Sequence, residues 1–274
     1  MRPDFTSEAM RALRVRPRAI AGRLESRSGA GVHPVTTADG APAFLKVAPG
    51  TRELRFYQEL STAVPVRTPD LLGHVESPDG VALLLEAAGE PLDVTQWTPA
   101  LWAALFRDLA ALHAMAPPAG WATPDDPPPA APEMVRAFWE PALPQLDELL
   151  SGTDRLIEAR SATPPAFIHG DCHTANITHL DGTLVFCDWQ QAGVGRPAAD
   201  LALLSVRATP AGVTVPIDAG PSVVAEELAL LLFQWPFYAA WNTPDGNARI
   251  QARARTLADE WLRSPGTPPA ARPG

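Results

Sequence analysis

The chain has 274 residues, 46% of them hydrophobic and 19% charged, with 31 acidic against 22 basic residues and a formal net charge of −9. That composition supports a sizeable core and excludes a disordered or fibrous chain. The acidic balance, with no Lys/Arg run that could track a phosphate backbone, argues against a nucleic-acid partner.

Taken in chain order, the first segment, MRPDFTSEAMRALRVRPRA, is basic but has no apolar centre, and no stretch reaches the length of a membrane span, so neither export nor membrane insertion is expected. Ala43–Val47 (AFLKV) reads as a short strand, and Thr51 as the N-cap of a helix to about Leu60. Val81–Glu86 (VALLLE) is a continuous apolar run suited to a buried strand. Thr98-Pro99 is a helix start, with Leu101, Leu105, Leu109 and Leu112 as its buried face. Residues 117 to 132 hold seven of the 31 prolines and form an extended linker. Glu226–Trp241 and Ala248–Leu262 are the late helices, and the tail from Ser264 is expected to be disordered.

Two residue counts stand out. Only two cysteines occur, Cys172 and Cys187, too few for a disulfide scaffold and without a CxxC pair, which fits a cytoplasmic protein. Of the 22 basic residues one alone is a lysine, Lys46. A chain that otherwise uses arginine has kept a single compact ammonium group.

Between Asn176 and Asp188, two β-prone runs flank Asp181-Gly182, a strong hairpin signal. Pairing Leu180 with Thr183 brings Asn176 opposite Cys187, so Asn176 and Asp188 meet at the open end of the hairpin. An Asp carboxylate and an Asn carbonyl are hard oxygen ligands of the kind Mg²⁺ takes beside a triphosphate. Asp171, five residues before Asn176, is then free to orient a hydroxyl and accept its proton.

His169–Asn176 (HGDCHTAN), Asp188-Trp189-Gln190 and Gly195–Ala202 (GRPAADLA) together resemble the aminoglycoside phosphotransferase and choline kinase superfamily, small-molecule kinases of protein-kinase-like build. The resemblance implies an α+β, two-lobed fold. A small strand-rich nucleotide-binding lobe would span 1–88, and a larger, mainly helical lobe with the catalytic loop and substrate site would span 89–263. It implies Asp171 as the catalytic base and Asn176 and Asp188 as metal ligands. His169 would steady the loop, and Asp200 would tie it to the next helix. Lys46 would hold the α- and β-phosphates with Glu53 as its ion-pair partner, Glu59 being a rival. Glu86 and Ala88 would flank the adenine, and Gly29 and Gly31, in Ser26–His33, would cover the phosphates.

The implied chemistry is transfer of the γ-phosphoryl group of ATP, with Mg²⁺, to a hydroxyl of a small molecule such as an aminoglycoside or a related amine or sugar. GTP is compatible too, because the hinge reads the base through backbone groups. The implied partners are a nucleoside triphosphate and the hydroxylated acceptor, with the chain a monomer or homodimer. Two departures stand out: Gly170 replaces the arginine of the protein-kinase loop, and Trp189-Gln190 replaces Phe-Gly. The alternatives are a catalytically silent nucleotide-binding module, and a metal-dependent hydrolase built on the string His169, Asp171, His173.

Overall fold

The computed structural model describes residues 5–19, 31–78, 80–124 and 126–263; Gly29 and the tail from Ser264 lie outside them. Two compact units divide the chain. One comprises Met1–Leu92, Ala103–Met115 and Ala175–Ala192, the other Asp93–Trp102, Ala116–Thr174 and Gly193–Gly274. Each unit is therefore assembled from separate stretches of chain, where the sequence alone suggests a single division near residue 88.

The first unit begins with helix α1 (Phe5–Ala12) and strands β1 (Arg16–Pro17), β2 (Gly31–Thr36) and β3 (Pro42–Ala48). Helix α2 (Arg52–Glu59) and strands β4 (Leu71–Ser77), β5 (Gly80–Glu86) and β6 (Glu90–Pro91) follow. The first five strands form an antiparallel sheet in the order β1-β2-β3-β5-β4. β5 has neighbours on both sides and is covered on both faces, which is why VALLLE is apolar throughout.

Directly paired residues share a face of the sheet. Leu45 pairs with Leu84 and Val47 with Ala82, and these four pack with Phe5 and Ala9 of α1. Lys46 pairs with Val32 and Leu83, so it projects from the other face, together with Phe44 and Leu85. Thr51 occupies the N-cap position of α2, but its hydroxyl makes no capping bond. Its backbone has already turned helical, with φ −95° and ψ −1°, so the side chain cannot reach forward as an extended N-cap does. Thr98 does cap helix α3 (Pro99–His113): its hydroxyl accepts from the Leu101 N–H at 3.3 Å.

The second unit holds helices α4 (Pro132–Trp139), α5 (Leu146–Ser151) and α6 (Thr153–Arg160), then strand β7 (Ala166–Ile168). The chain next supplies the hairpin β8 (Ile177–Leu180) and β9 (Thr183–Phe186) to the first unit, where β8 pairs with β6. It returns as β10 (Gly193–Gly195), which pairs with β7, and continues through helices α7 (Pro197–Ala208), α8 (Pro221–Ala229), α9 (Trp235–Tyr238) and α10 (Pro244–Arg263). Trp139, Leu146, Leu149, Leu228, Leu231 and Leu257 belong to the core of this unit.

The late helices differ from expectation at both ends, for reasons of proline chemistry. α8 and α10 start earlier, at Pro221 and Pro244, and the Thr243 hydroxyl accepts from the Gly246 N–H at 3.0 Å. The expected helix to Trp241 is interrupted by a π-turn at Leu230–Gln234. Pro236 has no N–H for the carbonyl of Leu232, and the buried Trp139 indole donates to that carbonyl at 3.3 Å instead. The Ala130 N–H donates to the Phe233 carbonyl at 2.6 Å, so the proline-rich segment docks on the same turn. Pro221–Trp241 is long and apolar enough to cross a membrane on length and composition alone, but 61% of its most apolar stretch is buried in the protein.

Candidate active site

The hairpin forms in the register read from the sequence. Leu180 pairs with Thr183 and Ile177 with Phe186, and the Cys187 N–H donates to the Asn176 carbonyl at 2.9 Å. Asp181 and Gly182 both have positive φ, 50° and 80°, as a tight type I′ turn requires. Asn176 and Asp188 thus sit at the same open end.

Within the first unit, Lys46 joins this end of the hairpin. Its ammonium lies 2.6 Å from Glu53 Oε2 and 2.8 Å from Asp188 Oδ1, while Glu59 pairs with Arg55 instead. Burial alone would lower the Lys46 pKa, but Glu53 and Asp188 outweigh it and hold the ammonium above its ordinary value, fully charged at neutral pH. Burial pushes the Glu53 carboxyl up, against the pull of Lys46. Glu53 Oε1 accepts from the Trp189 N–H at 3.3 Å. Tyr57 stands beside these groups, and its buried hydroxyl has no hydrogen-bond partner among the described residues. Two carboxylates against one ammonium leave an excess negative charge, and Asp188, with Asn176 at the same end of the hairpin, offers the kind of oxygen donor that a hard divalent cation takes.

At the end of β5, the Glu86 carboxylate is held by Arg67 at 3.0 Å and by the Asp70 N–H at 3.2 Å, so its side chain is structural. The Ala88 carbonyl accepts from the Thr178 hydroxyl. The Ala88 N–H donates to nothing among the described residues, although the residue is only 3% exposed. An amide so placed can hydrogen-bond a base, and Phe44 and Val32, on the Lys46 face of the sheet, supply apolar surface. Gly31 opens β2 opposite Val47.

In the second unit, β7 runs into the loop of Asp171. The Asp200 carboxylate accepts from the His169 N–H at 3.0 Å and from the Gly170 N–H at 2.9 Å, and His169 Nδ1 accepts from the Asp171 N–H at 3.3 Å. Gly170 has φ +80°, a left-handed conformation that glycine adopts without steric cost. His173 Nε2 lies 3.7 Å from Asp171 Oδ1. His169, Asp171 and His173 do not form a metal cluster: no such group of three ligating side chains exists among the described residues, and the His169 Nδ1 is turned on its own loop. Cys172 is fully buried, and burial with the nearby Asp200 and Asp171 charges drives its thiol well above the ordinary value, so it is no nucleophile.

A second ionic network in this unit has no local sequence signal. Buried Glu226 binds Arg196 through Oε1 and Arg160 at 2.9 Å through Oε2, while Asp126 binds the same two arginines at 3.0 and 2.7 Å. Glu227, also buried, takes both nitrogens of the Arg253 fork at 2.7 and 2.8 Å. Neither glutamate is left to recognise a cationic ligand.

These features define a protein-kinase-like α+β fold, the build of nucleotide-dependent phosphotransferases. Residues 29–258 match the phosphotransferase enzyme family. The chain belongs to that family and is a phosphotransferase. None of the curated proteins compared with it matches. Among solved structures, the aminoglycoside phosphotransferase APH(4)-Ia superposes with a TM-score of 0.60 at 15% identity over 91% of this chain and 96% of that one. The amicoumacin kinase hAmiN, in complex with AMP-PNP, Ca²⁺ and Ami, gives a TM-score of 0.60 at 15% identity over 98% and 96%. The aminoglycoside-3′-phosphotransferase of type VIII gives 0.51 at 21% identity over 93% and 98%.

Proposed function

We propose that this chain moves the γ-phosphoryl group of ATP to a hydroxyl of a small amine- or sugar-containing acceptor, with magnesium as its metal. The observation that carries this reading is the place of its sole lysine, buried between Glu53 at 2.6 Å and Asp188 at 2.8 Å on the strand-rich unit. An ammonium held charged in a fixed position stabilises the negative charge that develops on transferring phosphate oxygens.

Asp171 accepts the acceptor hydroxyl's proton as the new oxygen–phosphorus bond forms and the bond to the β-phosphate oxygen breaks, releasing ADP. Asp200 and His169 hold the Asp171 loop through its backbone amides. Magnesium, held by Asn176 and Asp188, would supply neutralisation of the phosphate charge. The unengaged Ala88 amide binds the base, a contact that serves GTP as well as ATP. The net charge of −9 favours a cationic acceptor, and the similarity to structures bearing hygromycin B and amicoumacin supports a hydroxylated amine.

The test is a phosphorylation screen over aminoglycosides, macrolides, amino alcohols and sugars, read as ADP release. Against the acceptor so found, Asp171→Ala should lower transfer by roughly 10²–10⁴-fold with ADP affinity unchanged. Undiminished transfer in that variant would remove Asp171 as the base, and nucleotide binding with no turnover on any class would return the chain to a silent module.

A further inference from the structure

Asp188 is one of the few non-glycine residues with positive φ, at φ 64° and ψ 63°. A left-handed backbone is disfavoured at a residue with a Cβ, so the surrounding contacts must hold it. The contacts next to it belong to Trp189. Trp189 is fully buried, stacks on Phe56 of α2 with ring centroids 4.1 Å apart and planes 6° from parallel, and donates its indole N–H to the Phe186 carbonyl at 2.7 Å. Its backbone N–H donates to Glu53 Oε1, also on α2. At the far end of the same segment, the Ala192 carbonyl accepts from Arg52 Nε at 3.0 Å, where α2 begins.

The contacts close a ring. Asp188 meets Lys46, Lys46 meets Glu53, Glu53 meets the Trp189 N–H, and the peptide bond leads back to Asp188. We infer that Trp189 is a positioning residue that locks α2 to the segment Asp188–Ala192, so that Lys46, Glu53 and Asp188 stand in their phosphate-binding arrangement before any ligand arrives. The indole cannot leave its site without breaking the ring stack and the Phe186 bond together, and its departure would free Glu53 from the segment that carries Asp188. Trp189 touches neither nucleotide nor acceptor in this scheme. It acts through the aim of the Lys46 ammonium, and in that respect the inference rests on the proposed phosphate role of Lys46.

The test compares Trp189→Leu, which removes the stack and the indole bond, with Trp189→Phe, which keeps a ring against Phe56. Binding of ADP with magnesium and of adenosine is measured by titration calorimetry, and amide hydrogen exchange is followed across α2. Trp189→Leu should weaken ADP by about tenfold or more while adenosine, which lacks phosphates, changes by less than about twofold. Exchange in α2 should rise by about tenfold while that in β5 stays put, and Trp189→Phe should restore most of both effects. Equal weakening of ADP and adenosine, or exchange that rises alike in α2 and β5, would make Trp189 mere packing and overturn the inference. If Trp189→Leu does not fold, Phe56→Leu, which removes the same stack from the α2 side, decides: a rise confined to α2 supports the lock, and no rise there overturns it. Wild-type protein that binds ADP no better than adenosine would instead refute the phosphate role of Lys46, while the exchange comparison still judges the lock.

Discussion

Glu53 and Glu226 are both buried carboxylates, 2% and 1% exposed, yet their surroundings are built on different principles. Glu226 shares two arginines with Asp126, so two negative charges meet two positive ones, and guanidinium forks supply directional bonds. Glu53 shares one lysine with Asp188, which leaves negative charge in excess beside a Tyr57 hydroxyl that has no partner among the described residues. A balanced network is complete as it stands and serves the fold. An unbalanced one leaves room for a cation, as the proposed function requires.

That contrast predicts that substitutions in the two networks will separate activity from stability. The largest effect belongs to Lys46→Arg, which keeps the charge but replaces a point ammonium with a broad planar fork. Transfer should fall by roughly 10²–10³-fold, as for loss of a preorganised charge-stabilising donor. The urea midpoint should stay close to wild type, and a variant that is fully active would return the lone lysine to compositional accident.

Glu226→Gln should do the reverse. Removing one member of a buried ionic network strands its partners and costs about 3–5 kcal/mol, measurable by urea unfolding. Adenosine binding, which depends on other residues, should persist in the folded fraction. A stability change within experimental scatter would show that Arg160 and Arg196 are satisfied without Glu226.

The smallest expected effect concerns Asp126, whose side chain is 54% exposed. Burial would raise its carboxyl, but the bonds from Arg160 and Arg196 prevail and hold it below the ordinary value of 3.8. A carboxyl lowered in the folded state contributes stability above its unfolded pKa and loses that contribution as pH falls through the folded one. Asp126→Asn should therefore remove under about 1 kcal/mol at neutral pH, given its exposure, and should narrow the gap from wild type as the pH drops below 3.8. A gap that widens on acidification would refute the pairing.

Much of this site was legible in the sequence because its signals are local. Asp181-Gly182 selects a turn by backbone sterics alone, and the two-residue loop sets the register that carries Asn176 to Cys187. Ala43–Val47 reads as the strand that carries Lys46, and Thr98-Pro99 starts a helix through its own hydroxyl and ring. Other features were not legible because their causes lie far along the chain. Thr51 has the chemistry of a cap but not the backbone angles. The π-turn before Trp235-Pro236 depends on a carbonyl that Trp139 can reach only once the unit has folded. Glu226 and Glu227 look like solvated acids until Arg160, Arg196 and Arg253 arrive beside them.

By itself, then, the sequence determined the kind of fold and the hairpin that sets Asn176 beside Asp188, because short-range sterics and motif spacing are written within a few residues of each other. The tertiary structure decided which carboxylate pairs with Lys46, which glutamates are spent on the core, and how Trp189 binds α2 to the segment of Asp188. Most of those choices depend on groups 26 to 142 residues apart in sequence meeting in a low-dielectric interior, where only partners brought together by folding can offset the cost of burial.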